Sequence, residues 1–454
     1  MKYHEEINKN SNKRSTLEVV IEKIGSALFL TSFTTAVGFM SLSITNIRIL
    51  QEFGVIMGVG IGILFIITII IMPIMLLYIN IPDKIHIERL ILKRKKSLSF
   101  QSLKAVQKYP KVVISLSGFL LILSIYGIYQ IDSNVTVLGD LKPSNKLYKD
   151  ISFVEDNFGG TLPLEIIISS VGTPLSKDLY IKTNAVNTID NSDFYNKVNL
   201  FMRDLSNYEN IKSVTGYWNL DGSLNAQQKK YTNKDRTEIR ISCGIENIDS
   251  NQADWLKKSI IKDYINVFDT ENGLKVTGST LLALKMNRYL IASLLNSFII
   301  AFIVIFISMN ILFRSIKLSL VSIIPNIIPL LFAGAVMGFF GIELRPATAM
   351  TFSIALGIAV DDTIHFLSRF RSEYLITRSH EKSTTTTILT TGRAIIGTSI
   401  TLGMGFLVLI FSNFKPNFEF GILATIILIV ALLSSLILLP ALINLIKPLN
   451  KSYE

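Results

Sequence analysis

Eight stretches of this 454-residue chain stay apolar long enough to cross a lipid bilayer as helices, roughly 26–46, 53–79, 112–131, 289–313, 318–340, 347–367, 394–412 and 419–446. A span needs about 20 such residues, because the hydrocarbon layer is about 30 Å thick and a helix rises about 1.5 Å per residue. Inside lipid every backbone N–H and C=O must be satisfied within the protein, which leaves helices as the way to use these runs. Only 17% of the residues are charged, against about 25% in soluble proteins. A soluble globular enzyme, a disordered chain and a disulfide-stapled secreted domain are all excluded. The single cysteine, Cys243, permits no intramolecular disulfide. The histidines at positions 4, 86, 365 and 380 are too scattered to suggest a metal centre.

Basic residues orient the spans. With both termini cytoplasmic, the inner pieces hold 23 Lys and Arg, and the short outer loops hold three, Arg48, Arg345 and Lys415. The sequence therefore predicts a cytoplasmic segment 1–25, two spans in 26–79, a basic cytoplasmic linker 80–111, a span at 112–131, an extracytoplasmic domain 132–287, a five-span bundle in 288–446 and a cytoplasmic tail 447–454. The run Lys93-Arg94-Lys95-Lys96 reads as an anchor to the anionic inner leaflet, worth about 1 kcal/mol per residue near the surface. Nucleic acid is not an expected partner; membrane lipid is.

The chain also repeats itself. Residues 21–79 align without gaps on 388–446, at an offset of 367. Gly25, Ala27, Thr31, Ser32, Thr34, Gly38 and Phe39 fall on Gly392, Ala394, Thr398, Ser399, Thr401, Gly405 and Phe406. Asn46, Glu52, Phe53, Gly54 and Pro73 fall on Asn413, Glu419, Phe420, Gly421 and Pro440. Chance resemblance between apolar helices would not match glycine, asparagine, glutamate and proline in register. An even number of spans separates each helix from its counterpart, so the copies share one orientation, as in transporters built on an axis along the membrane normal. The second copy reads as complete, while the first shows only its last two spans. The expectation is that about a third of a two-copy protein lies upstream of Met1, in a partner chain or in a frame that has been lost, or that the chain forms a homo-oligomer.

Within 132–287, segments 163–171, 211–217, 236–243 and 274–278 read as strands, and 196–208 and 252–268 as helices. The order βαββαβ predicts a ferredoxin-like α/β domain. Tyr217, Trp218 and Trp255 read as packing residues, with a ligand surface as the alternative.

The sharpest chemistry lies in the sixth span, where Asp361 and Asp362 are adjacent acids within hydrocarbon. One charged Asp at the bilayer centre costs about 2.5–3.5 kcal/mol, and such residues mark ion or proton pathways. His365 follows Asp361 by four residues and shares its helical side. Thr398, Ser399 and Thr401 on the next span could complete a polar path by hydrogen bonding across the helix interface. The bland alternative has the acids near the inner membrane surface, pairing with Arg369 or Arg371. Pro325, Asn326 and Pro329 predict a break in the fifth span.

The elements PNIIP, GIAVDDTIHFLSRFRSE, TSITLGMGF and its partner TSFTTAVGF together resemble the resistance-nodulation-division superfamily. The resemblance is to its MMPL-type branch of exporters, related to hopanoid and mycobacterial lipid transporters and more distantly to sterol-sensing and Patched-like proteins. It implies proton-driven export of a lipid or other hydrophobic molecule across a bacterial inner membrane. It also implies a proton relay at Asp361 and Asp362, with protons as coupling ion and no cofactor. An accessory or lipid-sensing membrane subunit and an inactive remnant are the alternatives. Enzymatic activity is not expected, since no nucleophile–base pair and no GxxxxGK[ST] nucleotide loop is present.

Overall fold

In the computed structural model, the described residues are 13–45, 47–78, 98–132, 134, 136, 138–169, 192–216, 231, 233 and 238–449. The basic run at 93–96, Asn46, Tyr217, Trp218, most of the N-terminal segment and the end of the tail lie outside them. Two compact units are present, one of residues 134–289 with 413–415, the other of the remaining chain.

The larger unit begins with α1 (Lys13–Met40) and α2 (Arg48–Tyr78), then α3 (Leu98–Lys108) and α4 (Pro110–Tyr129). The smaller unit holds α5 (Lys146–Phe158), β1 (Leu162–Ser169), α6 (Ser192–Leu205), β2 (Ile211–Thr215), β3 (Glu238–Ile245), α7 (Ser250–Phe268) and β4 (Leu274–Thr277). The chain then continues through α8 (Ser279–Phe313), α9 (Ile316–Phe340), α10 (Pro346–Thr377), α11 (His380–Thr390), α12 (Gly392–Leu407), α13 (Lys415–Leu433), a π-turn (Ser434–Leu438) and α14 (Leu439–Ile446). Eight helical stretches among the described residues are long and apolar enough to cross a membrane, and they coincide with the eight expected from the sequence.

Local chemistry explains the boundaries. Pro110 and Pro346 open α4 and α10 at a position where the missing N–H costs nothing. Ser315 caps α9 by accepting from the Leu318 N–H at 3.3 Å, and Gly341 ends the same helix in the left-handed conformation, φ 64°. The bundle core is apolar and centred on α10, with Leu356, Phe366 and Phe370 packed among Leu318, Leu439 and Ile443. Two glycine pairs let backbones touch. A Cβ on Gly338 of α9 would meet the Gly127 carbonyl oxygen of α4 at 1.8 Å, and one on Gly38 of α1 would meet Gly357 Cα of α10 at 3.1 Å.

The fifth span corrects one expectation. α9 runs unbroken through Pro325 and Pro329, and both prolines and Asn326 are buried. The prolines stand four apart, so the lost hydrogen bonds fall on one side and the rest of the ladder carries the helix, while neighbouring spans shield the freed carbonyls. The sequence predicts linker, loop or domain edge where α3, α5 and α11 form; α3 and α5 are short amphipathic helices, while α11 is polar and buries Ser383, Thr384 and Thr387 beside Ile388. α3 buries Leu103 and Val106, and its Gln107 side chain donates to Thr385 of α11 at 3.3 Å.

In the smaller unit the strands pair antiparallel in the order β2-β3-β1-β4. Alternation sets the faces: Leu164, Ile166 and Ile168 pair with Cys243, Ile241 and Ile239, and all six are buried. Against them pack Phe201 and Leu205 of α6 and Leu256, Ile260 and Tyr264 of α7. Asp249 caps α7, accepting from the Gln252 N–H at 2.8 Å, while the Gln252 side chain accepts from the Asp249 N–H at 3.0 Å. On the other sheet face Glu165 takes two hydrogen bonds from Arg240, at 2.7 and 2.9 Å, and one from Ser242 at 2.9 Å. Trp255 does not pack as expected: it is 58% exposed, with its ring edge-on to Tyr208 at 6.0 Å.

Candidate functional site

α10 carries the acids because its sequence suits burial on nearly every side: 17 of its residues are buried, from Thr348 to Tyr374. Asp362 is among them, at 6% exposure. Its Oδ2 accepts from the Ser399 hydroxyl of α12 at 2.9 Å, and the same hydroxyl lies 2.9 Å from the Ile395 carbonyl of its own helix. Asp361 points to a different side. Its Oδ1 is 3.3 Å from His365 Nε2, at an angle that makes no hydrogen bond, and the Thr31 hydroxyl of α1 lies within reach of the carboxyl.

The structure thus brings together Asp361 with His365, and Asp362 with Ser399. Thr398 and Thr401 are not part of the cluster. Both are exposed, with hydroxyls bonded to their own helix at the Ala394, Ile395 and Gly397 carbonyls. The reason is phase: each helical residue turns about 100°, so 398 and 401 cannot share the direction of 399. The pairing of the acids with Arg369 or Arg371 is also set aside, because Arg369 pairs with Glu373 at 2.9 Å and Arg371 donates to the Leu312 carbonyl at 3.1 Å.

Three participants escaped the sequence reading. Thr31 belongs to the first copy, of which only the last two spans are seen; α1 packs on the acidic helix of the second copy, with Thr35 Oγ1 donating to the Gly357 carbonyl at 3.3 Å. Thr363 and Ser435 were the others. Thr363 is fully buried, donates to Asn326 Oδ1 at 2.7 Å and lies 3.3 Å from the Ser435 hydroxyl in the π-turn. The residue that looked like a helix break, Asn326, is therefore an acceptor for α10. The adjacency of Thr363 to the acids was the one available signal; Ser435 gave none, since a π-turn has no simple sequence signature.

A hydroxyl both donates and accepts, so Ser399 can face Asp362 in either protonation state. Beside it, between α12 and α13, an apolar groove of about 180 Å³ is lined by Ser399, Gly403, Met404, Leu407, Thr425 and Leu428. Among the described residues no group of three or more His, Cys, Asp or Glu converges as a metal site would require.

Comparison with known proteins agrees with this architecture. Over 133 residues the chain is 31% identical to a membrane protein of Methanocaldococcus jannaschii, a match covering 29% of this chain and 34% of the relative. The chain thus spans about a third of that curated relative's length. The MMPL family matches residues 1–86 and 195–449, which include the first copy of the repeat and the acidic helix. The chain belongs to the MMPL family.

Proposed function

We propose that this chain is a transport component and not an enzyme, working as a proton-driven exporter of a lipid or other hydrophobic molecule at the plasma membrane. The observation that carries the reading is the buried Asp362 carboxyl, held 2.9 Å from a hydroxyl on a neighbouring span with His365 and Asp361 on the adjoining side. Burying a carboxyl in a bundle is costly, and a group that exchanges a proton with each cycle gives that cost a use. Ser399 would keep the acid oriented in both protonation states, and His365 would relay protons through Asp361. The positive-inside bias supports cytoplasmic termini, and an extracytoplasmic smaller unit follows from it. The order β2-β3-β1-β4 with antiparallel pairing supports reading that unit as a ferredoxin-like domain. The groove beside Ser399 supports a hydrophobic cargo.

The test is proton flux. Purified protein in liposomes with an imposed pH gradient should carry protons, and Asp362→Asn should abolish that flux while thermal stability in detergent is retained. Equal flux through wild type and Asp362→Asn would overturn the reading.

A further inference from the structure

The three residues that follow α14 are strapped back onto the helices beside it. Lys447 stops α14 in the left-handed conformation, φ 49°, with its N–H donating to the Ile443 carbonyl at 2.9 Å. Pro448 and Leu449 are then buried, Leu449 within the apolar core that also holds Phe370 and Tyr374 of α10. Side chains take both backbone groups of Leu449. Its carbonyl accepts from the Tyr374 hydroxyl at 3.0 Å, and its N–H donates at 3.4 Å to Nε2 of His380, the first residue of α11. The His380 ring lies against Tyr374, centroids 4.6 Å apart, with Phe370 at 6.1 Å. Nearby the Thr384 hydroxyl donates to Asn444 Oδ1 of α14 at 3.0 Å. An imidazole nitrogen that accepts a hydrogen bond carries no proton, so the strap is built for a neutral ring. Protonation would set an N–H against the Leu449 N–H.

We infer that His380 makes the 447–449 strap a pH-sensitive latch, fastened over the end of the acidic helix α10 while the ring is neutral and released when it takes a proton. The elements packed on α11 bring Arg378 at the end of α10, Arg393 at the start of α12, Lys108 at the end of α3 and Lys447 beyond α14. α11 itself adds Glu381 and Lys382. Further along α10, Arg369 and Glu373 neutralise each other as a pair. The balance of unpaired charge is positive and disfavours an imidazolium. Burial, and after it the charge of Lys447, hold the ring's pKa below its usual 6.5. The sign follows from that direction. An unfastened ring takes up its proton near pH 6.5 while the fastened ring resists, so the latch is at full strength above that pH. It weakens as pH falls further, by at most about tenfold per pH unit for one proton. The positive-inside bias supports a cytoplasmic position for this end of the bundle, where inward protons would arrive on the transport reading. The latch itself does not depend on that reading.

The test reads access to the strap in the full chain carrying Cys243→Ser, with Leu449→Cys as the reporter thiol and a small maleimide as probe. Labelling rates in detergent at pH 7.5 and pH 5.5 are compared with those of an unstructured peptide of the same flanking sequence, which removes the pH dependence of the thiol itself. Protection relative to the peptide is expected to be at least threefold lower at pH 5.5 than at pH 7.5. His380→Gln replaces the ring with an amide that does not titrate, and protection should then be equal at the two pH values. Ser353→Cys, fully buried within α10, is the control and should stay protected throughout. A change of less than threefold at Leu449→Cys, or an equal fall in the His380→Gln chain, would overturn the inference. Opening of Ser353→Cys over the same range would overturn it too, because the whole bundle would then be loosening. Proton flux is not the readout, so this result and that of Asp362→Asn stand or fall separately.

Discussion

The two units of this protein store polar groups in opposite places. In the smaller unit the sheet buries only apolar side chains and the thiol of Cys243, and its charges lie outside, as Glu165 and Arg240 do. In the helical unit the outer surface is apolar, including most of α2, and the hydroxyls, an amide and a carboxyl are inside: Ser399, Thr363, Asn326 and Asp362. A polar residue therefore means different things in the two. On the sheet it faces water and is replaceable; within the bundle Ser399 with Asp362 and Thr363 with Asn326 are tied to each other across helices, because lipid offers no alternative.

That contrast is breakable, and the largest effect belongs to the bundle. Asp362→Asn should eliminate proton-coupled transport entirely while leaving thermal stability unchanged or raised, since a group that is costly to charge has gone; transport assay and melting in detergent read the two outcomes separately. Next comes the sheet core. Ile241→Ala should cost the smaller unit about 2–5 kcal/mol, seen as a lower urea midpoint for alkylation of Cys243, the single cysteine of the chain.

The same thiol gives a pH signature. Burial pushes it from 9.0 up to about 12, so the folded state holds it neutral while the unfolded state ionises it. Its contribution to stability is complete below pH 9 and falls as pH climbs toward 12. Alkylation of the native unit should stay slow at pH 9, where an unfolded thiol would be half ionised. Fast labelling there would mean that the sheet opens readily.

Smaller effects sharpen the comparison further. Thr363→Val keeps shape but strips Asn326 Oδ1 of its donor, and the bundle should lose about 1 kcal/mol, in the range measured for interhelical hydrogen bonds, as a lower melting temperature. Glu165→Gln on the sheet surface should change stability by less than about 1 kcal/mol, because Arg240 is half exposed and the pair is screened. If the surface change proved larger than the bundle change, the contrast would fail.

Much of this was legible in the residues. Span positions followed from apolar length, and strand positions from strand-type composition such as that of 163–171. Helical spacing put His365 beside Asp361, and a polar span next to the acids supplied Ser399. What spacing cannot convey is which face of a helix its neighbour takes. Thr398 and Thr401 looked as eligible as Ser399, and only the packing of α12 on α10 separates them. The prolines of α9 were read by local propensity, and tertiary burial overrode it. α1 resting on α10 follows from Gly38 meeting Gly357, a contact between residues far apart in sequence.

The π-turn at Ser434–Leu438 has a consequence for the duplication itself. A π-turn takes in one extra residue, so everything beyond it is rotated by about 100° from the phase of an uninterrupted helix. In the first copy the corresponding stretch, 67–71, is plain α-helix within α2. The alignment has no gap there, since Glu52 matches Glu419 before it and Pro73 matches Pro440 after it. Two ungapped copies of one sequence are therefore wound differently: past this point equal letters look in unequal directions. Duplication conserved the text and left its angular reading to be settled by whichever neighbours each copy met, here the hydroxyl of Thr363 waiting opposite Ser435.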